Sequence, residues 1–228
     1  MGHVCAEWFD AGQVPRLNAR IEAKIGARDT MSISYVLLAA GKSSRMRGED
    51  KLLRPVNGAP LILHLIQEIK QVVSDVIVVV PDLSHPRAQL LSGKGVRCVP
   101  CPEASNGQGH SIACGINALD DTCCGVLISP CDLPALTAHD IKLVISEFSS
   151  QNHLKVVYHS HQGQIGHPVA FPTFLISELK NLKGDTGARA ILKTTHIEQI
   201  AIKSDSTGPF IDLDTPEDWE IWENKNKG

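Results

Sequence analysis

Three short apolar runs constrain this chain more than anything else in it: Tyr35–Ala40, Val76–Val80 and Gly125–Ser129. Each has the length of a buried strand rather than of a helix, and the middle one is β-branched throughout, as in a strand covered on both faces. Helical patterns lie between them. Leu61, Leu65, Ile66, Ile69 and Val73 share one face behind Pro60, which sits near a helix start. A short helix is expected around Arg87–Leu91 and a strand near Val96–Val99. This β-α-β-α-β alternation predicts an α/β fold, a three-layer, doubly wound, mostly parallel sheet. Ligands of such sheets gather beyond the carboxyl ends of the strands.

At 228 residues the chain suits one large domain with a real core, built from Val, Ile, Leu and Ala because aromatics are only 4%. A net charge of −3 argues against the basic face that nucleic acid requires, so affinity for phosphate must come from a local cluster. No apolar stretch approaches a membrane span and no secretory leader is apparent, so a cytoplasmic location is expected. Seven cysteines, an odd number, then read as reduced thiols. Cys98 and Cys101 have the spacing of half a zinc site but no second pair, and Cys114, Cys123, Cys124 and Cys131 read as buried apolar thiols. Residues 1–30 read as an N-terminal appendage of unassigned role, with Val14, Leu17, Ile21 and Ile25 at helical spacing. Residues 31–228 carry the domain.

The first run breaks at Gly41 into a polar loop holding Lys42, Ser43, Ser44, Arg45, Arg47 and Lys51. Small residues at the turn let backbone N–H groups approach a polyphosphate, and the cations offset its charge. A solvated surface loop would have the same composition. Two familiar phosphate loops are excluded. A P-loop needs a glycine at Val36, and the dinucleotide fingerprint fails because Ala39 and Ser43 flank Gly41.

Later stretches carry chemistry, caps or further strands. Asn106–Gly115 is a glycine-rich loop feeding a helix, with Gly109 in it and Ser111 where an N-cap would stand. Asp132 follows the Gly125–Ser129 strand, where Mg²⁺ could take one carboxylate plus phosphate oxygens; an Asx-turn before Pro134 would also explain it. Thr137 and Asp140 resemble a capping box for a helix through Phe148. Val156–Tyr158 is a short strand, with His159 and His161 expected to face solvent on its exit. Glu198–Lys203 alternates like a strand with one wet face. Asp212 and Asp214 alternate on a further expected strand that could return beside Asp132. Thr215 then caps a helix that Pro216 begins and that Trp219 and Trp222 pack on the sheet.

The stretch Leu38–Met46, then Asp50–Leu53, then Gly58–Leu61, resembles the signature of nucleotidyltransferases with a Rossmann-like domain, closest to the molybdenum-cofactor branch (MobA/MocA-like). Four later motifs extend the resemblance from about Ser34 to Trp219. It implies transfer of a nucleotide from a nucleoside triphosphate to a phosphorylated acceptor, with release of pyrophosphate. Ala39-Ala40-Gly41, Gly166-His167-Pro168 and Gly184–Arg189 lean towards the cytidylyl-transferring members, which implies CTP and a molybdopterin acceptor. Carried over residue by residue, it implies catalytic roles for Arg45, Lys51 and Asp132, and nucleotide contacts from Leu38, Ala39, Ala40, Gly41, Lys42, Ser43, Gly109 and Ser111. His167, Asp185 and Arg189 would bind the acceptor, and Asp132 with Asp212 would hold Mg²⁺. The implied partners are the triphosphate, the acceptor and a molybdoenzyme or its chaperone, with no nucleic acid or membrane. Guanylyl transfer, and transfer to a sugar or polyol phosphate, remain open on sequence alone. So does a non-catalytic nucleotide-binding module; a glycosyltransferase is disfavoured because Cys131-Asp132-Leu133 offers one acid, not an Asp-x-Asp.

Overall fold

The computed structural model of the protein describes residues 32–194 and 197–226. The appendage expected over residues 1–30, with its helical pattern, lies outside them. Ten strands are seen among the described residues: β1 (Ser32–Leu38), β2 (Pro55–Val56), β3 (Ala59–Pro60), β4 (Asp75–Val80), β5 (Arg97–Pro100), β6 (Cys123–Pro130), β7 (Val156–His161), β8 (Gln164–Ile165), β9 (Val169–Pro172) and β10 (Gln199–Lys203). Seven α-helices accompany them: α1 (Leu61–Lys70), α2 (Pro86–Leu90), α3 (Gln108–Asn117), α4 (Ala138–Ser150), α5 (Ile176–Lys180), α6 (Arg189–Thr194) and α7 (Pro216–Asn226). None is long and apolar enough to cross a membrane.

The main sheet runs β10-β7-β9-β6-β1-β4-β5, with β8 on the flank of β7. β6, β1, β4 and β5 are parallel neighbours, and β10 is parallel to β7. The doubly wound, mostly parallel expectation holds, with one addition. β9 inserts antiparallel between β6 and β7, and it is only four residues long.

Alternation along the central strands builds the layers. Tyr35, Leu37, Val76, Val78, Val80 and Leu127 point to one side, where they meet Leu61, Leu65 and Ile69 of α1, Phe148 of α4 and Trp219 of α7. Val36, Ile77, Val79, Val126 and Ile128 point to the other and meet Ile112 and Ile116 of α3 and Leu179 of α5. α3 lies close because Gly115 has no side chain; a Cβ there would run into the methyl groups of Val36. The expected capping box is present, with Thr137 Oγ1 accepting from Asp140 N–H at 3.2 Å and Asp140 Oδ2 accepting from Thr137 N–H at 3.0 Å.

Several local expectations are corrected. β7 continues through His161, so His159 is inside a strand and fully buried, its Nε2 donating to the Asp140 carbonyl at 2.9 Å. Residues 211–214 are coil rather than strand, because they follow a turn at Thr207–Phe210 and pair with no strand. Ser111 is an interior residue of α3 and Gly107 holds the N-cap position, one turn earlier than the serine suggested. Cys114 is half-buried rather than core, with its Sγ 2.6 Å from Cys101 Sγ.

Candidate active site

Register brings the ends of three strands together. Leu38 pairs with Val79 of β4 and with Pro130 of β6, and the Cys131 N–H donates to the Leu38 carbonyl at 3.1 Å. The polar loop after β1 and Asp132 after β6 therefore leave the sheet side by side. Two 3-10 turns shape the loop, Ser44–Met46 anchored by buried Met46 and Lys51–Leu53 anchored by buried Leu52. Asp50 caps the second by accepting from Leu52 N–H at 3.0 Å, which presents Lys51 on its first position.

Beneath the loop lies a buried guanidinium. Arg87 of α2 is 2% exposed and donates to the Ala39 carbonyl at 2.6 Å, the Gly41 carbonyl at 2.8 Å and Ser43 Oγ at 3.1 Å. It also forks onto both carboxylate oxygens of Asp50 at 2.7 Å each. The sequence pointed to no such role, since one charged residue in a five-residue helix carries no pattern.

Above the loop is an ion network. Lys51 Nζ donates to Asp132 Oδ2 at 2.6 Å and to Asp214 Oδ1 at 2.7 Å, and Arg45 reaches the other oxygen of Asp214 at 2.9 Å. Burial pulls the Lys51 pKa down, but the Asp132 and Asp214 carboxylates more than offset it and hold it above its ordinary value. The coil carrying Asp214 is fixed by the Leu213 N–H, which donates to the Asp132 carbonyl at 3.2 Å, and by burial of the Leu213 side chain. Asp212 sits nearby, its pKa raised by burial and by repulsion from Asp132 and Asp214.

Three cavities adjoin here, two of them lined by members of this network. The central one, about 280 Å³, is lined by Leu38, Ala40, Gly41, Lys51, Ser111 and Asp132 among others, with Lys42, Ser43 and Arg45. A second, about 520 Å³, shares Ala40–Ser44 with it and extends past Asp50, His85 and Arg87. The third, about 480 Å³, shares Leu38, Arg45, Gln108, Asp132 and Asp214 with the centre and is completed by His167, Asp185, Arg189 and Asp212. Beside it Gly107, at φ +122°, has no side chain, which lets the start of α3 abut the Gly184–Asp185 backbone. In this third lobe burial, with the Arg189 charge, lowers the His167 pKa to about 4, so the imidazole is neutral at physiological pH.

Most residues singled out in the sequence thus converge on one cleft. Two do not line it. Ala39 is buried, its carbonyl on Arg87, and Gly109 packs on the Lys183 backbone with its N–H donating to the Gly184 carbonyl at 2.8 Å. Arg47 is paired with Glu217 at the start of α7. Sequence reasoning did not single out Arg87 or Gln108; Asp212, expected as the second acid, lines the third cavity, and Asp214 shares Lys51 with Asp132.

Among the described residues no three His, Cys, Asp or Glu side chains are grouped so as to hold a metal ion by themselves. A carboxylate pair that leaves other positions to phosphate oxygens does fit Mg²⁺. Asp132 Oδ1 is buried without a hydrogen-bond partner, and the pair already has a cation, the Lys51 ammonium, between its oxygens.

Residues 35–200 match the family of MobA-like NTP transferase domains. A molybdenum cofactor guanylyltransferase of Yersinia pestis (strain Pestoides F) is 26% identical over 222 residues, covering 86% of this chain and 98% of its own. Among solved structures, Rv0371c of Mycobacterium tuberculosis H37Rv superposes with a TM-score of 0.74 at 19% identity, covering 86% of this chain and 99% of its own. Its complex with manganese gives 0.69 at 18%, covering 84% and 97%.

Proposed function

The chain belongs to the MobA-like NTP transferase family and is a nucleotidyltransferase. From that premise we propose that it transfers the nucleotide of CTP to the phosphate of a molybdopterin-type acceptor and releases pyrophosphate. The observation that carries this reading is the meeting of two cavities at Arg45, Asp132 and Asp214, with Lys51 in the wall of the central one bound to both acids, and a further cavity adjoining along the Ala40–Ser44 loop.

Both substrates are anions, so charge and alignment make up most of the barrier, and positioning with electrostatic stabilisation carries most of the rate. Leu38, Ala40 and Gly41 seat the nucleotide. Lys42, Lys51 and Arg45 hold the triphosphate and offset charge on the departing pyrophosphate. In the third lobe, neutral His167 can orient a phosphate by hydrogen bonding, and Arg189 and Asp185 fix its approach. An ionised acceptor phosphate attacks without a general base. Asp132 and Asp214 are the residues that would hold Mg²⁺, which supplies charge neutralisation at the phosphates when bound. The manganese complex of the mycobacterial protein accords with a divalent ion in this role.

For the base, Ala40 lines both the central and the second cavity, and Ala39-Ala40-Gly41 resembles the cytidylyl-transferring members at this turn, which favours CTP. The name of the Yersinia relative favours a second reading, guanylyl transfer to the same acceptor. Pyrophosphate release measured with each NTP, with and without molybdopterin, separates them. CTP with acceptor is expected to be the best pair, Ala40→Gly to raise use of GTP, and Asp132→Ala and Lys51→Ala each to lower release by about a thousandfold or more. Release with GTP at least equal to CTP establishes the second reading, and none with any NTP overturns the enzyme.

A further inference from the structure

Lys51 and a divalent cation require the same oxygen atoms. The ammonium lies between Asp132 Oδ2 and Asp214 Oδ1, at 2.6 and 2.7 Å, and its side chain is only 12% exposed. Arg45 takes the remaining oxygen of Asp214, so that carboxylate is fully engaged by protein cations. The remaining oxygen of Asp132 is buried and has no partner. The two cations differ in how easily they can be withdrawn. Arg45 is held through one oxygen and is two-thirds exposed. Lys51 is a compact point charge on a flexible four-carbon stem, which a competing anion can draw aside without moving the backbone. Its turn is independently fixed by Asp50 and Leu52, so the stem can swing while the loop stays put.

We infer that Lys51 is an exchangeable occupant of the Asp132–Asp214 pair: it closes the pair to divalent cations until a nucleoside triphosphate arrives, whose phosphates take the ammonium and free both carboxylates. The inference rests on the cleft being the triphosphate site, as argued under the proposed function. It makes the triphosphate and its cation enter together, with little cation bound beforehand. It also has an unusual corollary. Removing this lysine weakens the grip on phosphate yet strengthens the grip on metal, whereas removing a lysine that merely ties the loop down would leave metal affinity unchanged or lower it.

The test is Mn²⁺ binding to nucleotide-free protein, read by the electron paramagnetic resonance signal of free Mn²⁺ and by the shift in Tm. Lys51→Met and Lys51→Gln are two separate variants, so that a folding defect in one leaves the other. Each is expected to bind Mn²⁺ about tenfold or more tightly than wild type, because a like charge at contact distance has been taken away. Each should also be stabilised by Mn²⁺ at concentrations that leave the wild-type Tm unchanged. Adding Asp132→Asn should erase the gain. In the wild type, protein-bound Mn²⁺ should become strong only when the α,β-methylene analogue of CTP or GTP is added. Mn²⁺ affinity in both lysine variants equal to or below that of wild type overturns the inference. So does tight Mn²⁺ binding by nucleotide-free wild type. Failure of both analogues to bind wild type would instead overturn the cleft as a triphosphate site, and the nucleotide-free comparison would still decide the fate of the lysine.

Discussion

His167 shows how a single side chain couples the site to stability. Its folded pKa, about 4, lies below the ordinary value of 6.5 because burial and the Arg189 charge disfavour the imidazolium. The neutral ring therefore contributes stability in full above about pH 6.5, and the contribution is lost as pH falls towards 4, up to about 3 kcal/mol in all. His167→Asn should flatten the stability profile in that window, as measured by urea unfolding between pH 7 and pH 4; an unchanged slope would show that the ring is not buried neutral. The residue itself could be read from Gly166-His-Pro, because it sits on a braced loop. Its environment could not. Its backbone is tied to the turn at Pro209, whose carbonyl accepts the His167 N–H at 2.9 Å, a contact distant in sequence. The same reasoning separates Asp214 from Asp212. Alternation suited either acid, and only the Leu213 bond to Asp132 in the coil decides which meets Lys51.

Among elements, α2 is one of the two shortest α-helices described, and it holds the loop after β1. Five residues long, it places one guanidinium under the loop after β1, where it binds three groups of that loop and the carboxylate that caps the Lys51 turn. Arg87→Met should lower unfolding stability by about 3 kcal/mol or more, since it leaves buried carbonyls and Asp50 without their cation. It should also raise the KM for NTP about tenfold or more through misplacement of the phosphate-facing loop. A variant with wild-type stability and KM would refute the role. The strands and long helices around α2 could be read from apolar period alone, because β1, β4, β6 and α1 bury continuous or amphipathic faces in the core. Arg87 could not, because a buried cation is recognised only from the oxygens gathered around it, and these come from residues 39–50.

On the scale of the whole molecule, the last helix closes back onto the first loop. Arg47 pairs with Glu217, Arg54 pairs with Glu223 at 3.0 Å, and Arg54 lies 4.8 Å over the ring of Trp219. Trp219 is completely buried against the same core as β1 and β4. Trp219→Ala should lower unfolding stability by about 3 to 5 kcal/mol. It should also raise the KM for NTP, because Asp214 and the Thr215 cap that begins α7 move with the helix; loss of stability without a change in KM would separate the helix from the site. Beneath that closure, the grip of Arg87 on the oxygens of Ala39 and Gly41 decides a matter of direction. A trans peptide carries its oxygen and its hydrogen on opposite edges of one plane. With both oxygens turned inward, the amide hydrogens of Ala40 and Lys42 are turned outward, so a positive charge hidden below aligns the dipoles that a negative one would meet on the far side.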